Sequence, residues 1–263
     1  MKAFVYAAGR GGRLGLPYSK HPKVLLKFGG RSLLQWHAMK LEALGVQELF
    51  VITGFGREEM LQAMETIQKQ SSIKINEIFN PDFTQGSLVS FNVSLPPIEA
   101  CARAQMPVLL MDADVLYPVA LLERLVASQR KTVLLVDRDY SNADTDPVLV
   151  PVRGGRPVDF VKCWSGEAEL VGESIGFFKV HPTDVPLLVE ETRKRVAAGA
   201  LDEPYEEVLR ALVRAGRFHA EDTTGTPWIE IDFPEDVEAA RAEVLPAVES
   251  LDLARASANK SRE

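Results

Sequence analysis

Apolar positions along the chain gather into short β-branched runs separated by stretches of helical spacing. AFVYA at Ala3–Ala7, ELFVIT at Glu48–Thr53, IKINEIF at Ile73–Phe79 and PVLLM at Pro107–Met111 read as strands. Between them the pattern predicts helices from Ser32 to about Leu44, from Glu58 to about Lys69, and once more before Pro107. Such alternation predicts a parallel-rich sheet with helices on both faces. Ser32 suits an N-cap, and Gly45 stands where a left-handed residue closes a helix. Leu34, His37, Leu41 and Leu44 share one face of that first helix. On this apolar stripe His37 reads as a packed core histidine in preference to a catalytic base.

The second half is mixed. A helix at Ala120–Ser128 and strand TVLLVD at Thr132–Asp137 lead into shorter strands with turn signals at Asp146-Pro147, Gly154-Gly155 and Ser165-Gly166, which predicts partly antiparallel pairing. Strand IGFFKV, helices at Val185–Ala197 and Pro204–Ala215, strand WIEI, and an amphipathic helix opening at Pro234-Glu235-Asp236 follow. One domain is expected over residues 1–247. Residues 248–263, LDLARASANKSRE after Val248 with more polar character, read as a frayed tail. No internal repeat or linker is visible.

Composition narrows the function more than the fold. With 263 residues and 46% of them apolar, the chain can bury a substantial core. The net charge of −7 argues against a general nucleic-acid binder and suits one local basic pocket for a small anion. Met1-Lys2 runs straight into a strand, and no segment is long and apolar enough to span a bilayer, so a cytoplasmic protein without membrane contact is expected. Cys101 and Cys163, the only cysteines, suit neither a disulfide scaffold nor a zinc site.

Candidate chemistry begins where the first strand ends. Gly9, Gly11, Gly12 and Gly15, with Arg13 and Lys23 close by, form a basic glycine loop. Its amides can face phosphate oxygens, although the same loop can be a tight strand-to-helix turn. Two common glycine loops are excluded: Gly-x-Gly-x-x-Gly fails at Leu14, and Leu14-Gly15 stands where the ATPase loop needs Gly-Lys. Two acidic segments then stand at the carboxyl ends of buried strands, where open α/β sheets bind ligands. In LLMDADVLY, Asp112 caps or braces the turn while Asp114 projects into a crevice. In WIEIDFPEDVEAA, Glu230 and Asp232 share one face of the strand end. Carboxylate oxygens of this kind suit Mg²⁺ together with ligand phosphates. For Asp232 a second role stays open, as N-cap of the helix near Pro234.

AAGRGGRLG…PKVLLKFGGRSLLQW, with ITGF, NPDFTQGSLVSFNVSL, LLMDADVLY, GESIGFFKV and EIDFPEDVEAA, resembles the nucleotidyltransferase family that makes activated sugars and phospho-alcohols. It is most similar to the short bacterial branch of phosphocholine, 2-aminoethylphosphonate and inositol-1-phosphate cytidylyltransferases. The resemblance implies a single-domain, three-layer α/β/α Rossmann-like fold with a mixed, mostly parallel sheet, of the nucleotide-diphospho-sugar transferase type. It implies that Ala8, Gly9, Arg10, Gly11, Gly12 and Arg13 hold base and phosphates, that Lys23 reaches the phosphates, and that Gln85, Gly86 and Ser87 line base and ribose. Asp114 and Asp232 match the Mg²⁺ ligands, with Glu230 a third candidate, and Lys162 and Glu173 fall where such enzymes contact the acceptor. Gly12 departs from the family, which usually has Ser or Thr there. Asp139, Asp144 and Asp146 could face a cationic acceptor, or could form an exposed turn.

The implied reaction transfers a nucleoside monophosphate, CMP from CTP in the first instance, to a phosphorylated or phosphonate acceptor with release of pyrophosphate. Two rivals stand beside it: a hexose-1-phosphate transferase using UTP, dTTP or GTP, and a catalytically silent nucleotide sensor. A homodimer is the expected assembly.

Overall fold

A computed structural model describes residues 1–139 and 147–260, the side chains of Asn259 and Lys260 excepted. In chain order the elements are β1 (Lys2–Tyr6), β2 (Lys27–Phe28), β3 (Arg31–Ser32), α1 (Leu33–Ala43), β4 (Glu48–Thr53), α2 (Arg57–Gln68), β5 (Lys74–Phe79), α3 (Ser87–Val93), α4 (Leu95–Arg103), β6 (Val108–Asp112), β7 (Val115–Leu116) and α5 (Val119–Ala127). Then come β8 (Thr132–Asp137), β9 (Leu149–Arg153), β10 (Arg156–Pro157), β11 (Leu170–Val180), α6 (Val185–Ala197), α7 (Glu206–Arg214), β12 (Phe218–Asp222), β13 (Ile229–Glu230), α8 (Pro234–Ala239) and α9 (Leu245–Lys260).

The main sheet runs β5–β4–β1–β6–β11–β8–β12, with β9 and β10 continuing from the first half of β11. Strands β5, β4, β1 and β6 are mutually parallel, and β11 runs against both β6 and β8. This is the mixed, mostly parallel sheet the sequence predicts. Alternation along β1 divides the core: Ala3 and Val5 join the helices α1, α2, α5 and α8 on one face, while Phe4 packs with α3, α4, α6 and α7 on the other. At α1, Ser32 Oγ accepts from the Gln35 amide at 3.2 Å and Gln35 Oε1 accepts from the Ser32 amide at 2.9 Å, a complete capping box.

The single helix expected before Pro107 divides into α3 and α4, and two further elements depart from the sequence reading. Strand β12, FHAED, lacks period-two alternation, yet it pairs in parallel with buried β8 from Phe218↔Thr132 to Asp222↔Val136. The expected tail is instead helix α9, joined to α8 by a wide turn at Ala240–Val244 that precedes Pro246, a residue without an amide proton to close a normal turn. Val248 is fully buried, and Arg255 pairs in bidentate fashion with Glu123 of α5 at 3.0 Å. Those contacts hold what the polar composition alone would leave loose. Among the described residues no helix is long and apolar enough to cross a membrane. Cys101 is buried and Cys163 exposed, both as free thiols.

Candidate functional site

Parallel pairing brings the carboxyl ends of β1, β4 and β6 to one edge, with Tyr6 opposite Asp112 and Ile52. The glycine loop leaves β1 there. Its Gly11 adopts φ +61°, and a Cβ at that position would lie 3.1 Å from Lys23 Cβ, so this glycine lets the loop close over Lys23. Lys23 Nζ lies 2.5 Å from Asp114 Oδ2 and 2.8 Å from Asp232 Oδ1. Arg13 holds the other oxygen of Asp232 at 2.8 Å and stacks its guanidinium over Phe233. Burial alone would lower the Lys23 ammonium, but the charges of Asp114 and Asp232 reverse this and hold it above the ordinary lysine range. For Asp232 burial works upward and the Lys23 and Arg13 charges outweigh it, leaving the carboxyl below its usual range.

The two roles left open for Asp232 are now separable. The amides of Asp232 and Phe233 both donate to Asp236 Oδ2, at 2.8 and 2.6 Å, so Asp236 caps α8 and the Asp232 carboxylate is left for the basic pair. Two short strands register the acidic segments: β13 pairs with β7, and the Ile231 amide donates to the Asp114 carbonyl at 2.9 Å. Oxygens of Asp114, Glu230 and Asp232 thereby come within 4.8 Å of one another. Burial in the cleft and the charges of Asp114, Asp232 and Asp112 push Glu230 above the usual carboxylate range. Its side chain still reaches solvent, so the crowding of carboxylates is the firmer cause. Hard oxygens at this spacing, with an ammonium already drawn between two of them, suit a divalent cation such as Mg²⁺.

Two clefts meet at Arg13 and Asp232, which line both. One, of about 250 Å³, is bounded by Tyr6, Gly9, Gly11, Gly12, Lys23 and Asp114. The other, of about 90 Å³, lies between Asp112, Phe160, Lys162, Tyr205, Glu206 and Glu230. Asp112 is not the turn brace expected from sequence. Its carboxylate accepts from the Tyr205 hydroxyl at 2.6 Å and faces the second cleft. Room for it comes from a bulge in β11, where Gly176 adopts φ +76° and a Cβ would collide with Asp112 Oδ2. Burial, then the charges of Asp114 and Glu206, push Asp112 well above the carboxylate range.

The expected site residues therefore separate. Gly9, Gly11, Gly12, Arg13, Lys23, Asp114 and Asp232 line the first cleft, and Lys162 and Glu230 the second. Ala8 is buried, and its carbonyl accepts from the Phe55 amide at 3.0 Å. Arg10 lies over the rings of Phe55 and Phe83. Gln85 is exposed, whereas Gly86 and Ser87 dock on the loop at 201–205, the Gly86 amide donating to the Leu201 carbonyl and Ser87 Oγ accepting from the Tyr205 amide at 2.8 Å. Glu173 is buried in β11. Asp139 is exposed, and Asp144 and Asp146 lie outside the described residues. Sequence reasoning missed Tyr6, Gly176, Tyr205 and Glu206. Only the Asp-Ala-Asp spacing hinted at a second inward carboxylate.

The chain is similar to several known proteins. The chain is 28% identical over 249 residues to CMP-5'-(3-aminopropyl)phosphonate synthase of Streptomyces rubellomurinus, covering 90% of this chain and 37% of that protein. It is 25% identical over 242 residues to the bifunctional IPC transferase and DIPP synthase of Aquifex aeolicus, covering 91% and 50%. The chain thus spans half or less of the length of these two relatives. Its fold matches the inositol-1-phosphate CTP transferase from T. maritima with a TM-score of 0.75 at 21% identity, over 95% of each chain. The MobA-like NTP transferase domain matches residues 3–215, and the chain belongs to that family.

Proposed function

We propose that this protein transfers CMP from CTP to a phosphonate or phosphate acceptor carrying a cationic group, releasing pyrophosphate. The observation that carries the reading is the pairing of Lys23 with both Asp114 and Asp232 at the mouth of the glycine loop. The first cleft would take the nucleotide, with loop amides, Arg13 and Lys23 facing its phosphates. Asp114 and Asp232, with Glu230, would hold Mg²⁺, which when bound neutralises charge developing on the α-phosphate and the leaving pyrophosphate. An ionised acceptor oxygen needs no side-chain nucleophile, so the chain's work is positioning and charge balance.

Support for the acceptor class comes from the second cleft. Asp112, Glu206 and Glu230 give it acidic lining and Phe160 and Tyr205 aromatic lining, and the cations Arg13 and Lys162 line it as well. An acceptor with an anionic head and an amine or ammonium tail satisfies both ends. The Streptomyces relative, a CMP-aminopropylphosphonate synthase, is consistent with this class.

The test is pyrophosphate release with Mg²⁺ for CTP, UTP, dTTP, GTP and ATP against 2-aminoethylphosphonate, 3-aminopropylphosphonate, phosphocholine, inositol-1-phosphate and glucose-1-phosphate. Turnover is expected with CTP and one cationic acceptor. Turnover confined to glucose-1-phosphate would overturn the reading in favour of a sugar nucleotidyltransferase, and nucleotide binding without turnover would make the protein a sensor.

A further inference from the structure

His37 is buried completely, 76 residues in sequence from the acidic turn it touches. Its Nε2 lies 3.0 Å from the carbonyl of Ala113, the residue between Asp112 and Asp114, and its Nδ1 lies 3.0 Å from the Tyr117 hydroxyl. A carbonyl only accepts, so Nε2 carries the proton. Burial pushes the imidazole down to about 4, which leaves the ring neutral at physiological pH. Nδ1 therefore accepts, and Tyr117 donates. One turn along α1, Lys40 donates to the Tyr117 carbonyl from between the rings of Trp36 and Tyr117. Asp252 of α9 lies 3.6 Å from Lys40 Nζ, and its other oxygen accepts from the Val119 amide at 2.7 Å.

These bonds grip the segment 113–119 on the side facing α1 and α9. The same segment also meets the strand that carries the other carboxylates, through the Ile231 amide on the Asp114 carbonyl. Asp114 is thus set between two hydrogen-bonded partners, and only one of them belongs to the acidic site. We propose that His37, with Lys40 and Asp252, is a positioning device for Asp114: it fixes the metal-holding carboxylates at their mutual spacing without touching substrate. The inference rests on the metal-site reading above, and it extends the working enzyme to α9, beyond the residues 3–215 matched by the family domain.

Backbone partners behind a metal ligand orient it, and losing them typically weakens metal affinity or activity by about 10–100-fold. The experiment is Mn²⁺ binding by EPR on the full chain, beside thermal melts and kcat and KM, for wild type, H37L, H37Q and D252A. The side-chain amide that H37Q introduces keeps a donor that can reach the Ala113 carbonyl. Asp252 is partly exposed, so D252A removes no apolar core packing and serves should H37L fail to fold. In H37L, Mn²⁺ affinity and kcat should fall about 10–100-fold with KM for CTP little changed. H37Q should recover most of both, and D252A should move the same way by less. Overturning the inference takes wild-type Mn²⁺ affinity in H37L and D252A, or in D252A alone if H37L does not fold, with only the melting temperature lowered. A wild-type protein that binds no Mn²⁺ would instead overturn the metal-site reading itself.

Discussion

The two clefts that share Arg13 and Asp232 are built on different principles. In the cleft at the glycine loop the charges are balanced: Lys23 and Arg13 answer Asp114 and Asp232 at 2.5–2.8 Å, and Lys23 is held above and Asp232 below its ordinary range. In the second cleft, the proposed acceptor side, the carboxylates outnumber the cations, and Asp112 and Glu230 are both pushed upward in pKa. A balanced site can wait with its own cation between its carboxylates. An acidic site is under electrostatic stress that a cationic ligand relieves.

The largest effect expected is on the carboxylate that meets Lys23 in the first cleft. Asp114→Ala should lower kcat by about 10³-fold or more, with folding unaltered by circular dichroism. Retained Mg²⁺-dependent turnover would remove Asp114 from the set of residues that hold the metal.

Asp112→Asn separates the sides. Its amide oxygen can still accept from Tyr205, but the charge is gone, so KM for a cationic acceptor should rise about tenfold while KM for CTP stays put. The same variant should melt higher. The Asp112 pKa is raised on folding, so its ionised form costs stability that grows as pH rises through the raised value, and asparagine removes that cost. Equal rises in both KM values would show that the clefts are not distinct in function.

Asp159 tests the wall of the acceptor side. It receives bidentate bonds from Arg210 and Arg214 of α7 and lies beside Phe160, which lines the cleft. Burial alone would raise Asp159, and the two arginines reverse it to well below the usual range. A depressed carboxyl contributes stability that is present above about pH 4 and lost as pH falls through the native value. Asp159→Asn should therefore cost about 1–3 kcal/mol at neutral pH, with the difference from wild type closing in acid. Denaturant melts from pH 7 to pH 2 measure it, and a pH-independent gap would contradict the pairing.

The smallest effect should come from Gly12→Ser. Nothing lies within 4 Å of a Cβ at Gly12, so the hydroxyl that the family usually carries fits, and KM for CTP should fall about threefold. A rise would mean the loop has closed around the glycine.

Legibility differed between the two sides for a physical reason. Gly11, Arg13 and Lys23 stand in the loop that leaves β1 and Asp114 in the turn after β6, short motifs where local residue type already implies a phosphate or a metal. For Asp232 the structure was needed, because it shows Asp236 capping α8 in its place. The acceptor side is assembled from β6, the bulge of β11, residues 160–162 and the loop before α7, and the Tyr205–Asp112 bond joins residues 93 apart. No local pattern announces such a pairing. Strand β12 and helix α9 were hidden likewise, since each is decided by partners elsewhere, β8 for the one and Glu123 and Val119 for the other.

The most direct measurement is pyrophosphate release from CTP with 3-aminopropylphosphonate and Mg²⁺, run on wild type beside Asp114→Ala and Lys23→Ala. Release that needs CTP, acceptor and metal together, and that both substitutions abolish, is the expected result. Release that survives either substitution, or that UTP with glucose-1-phosphate supports in place of CTP, would contradict the assignment.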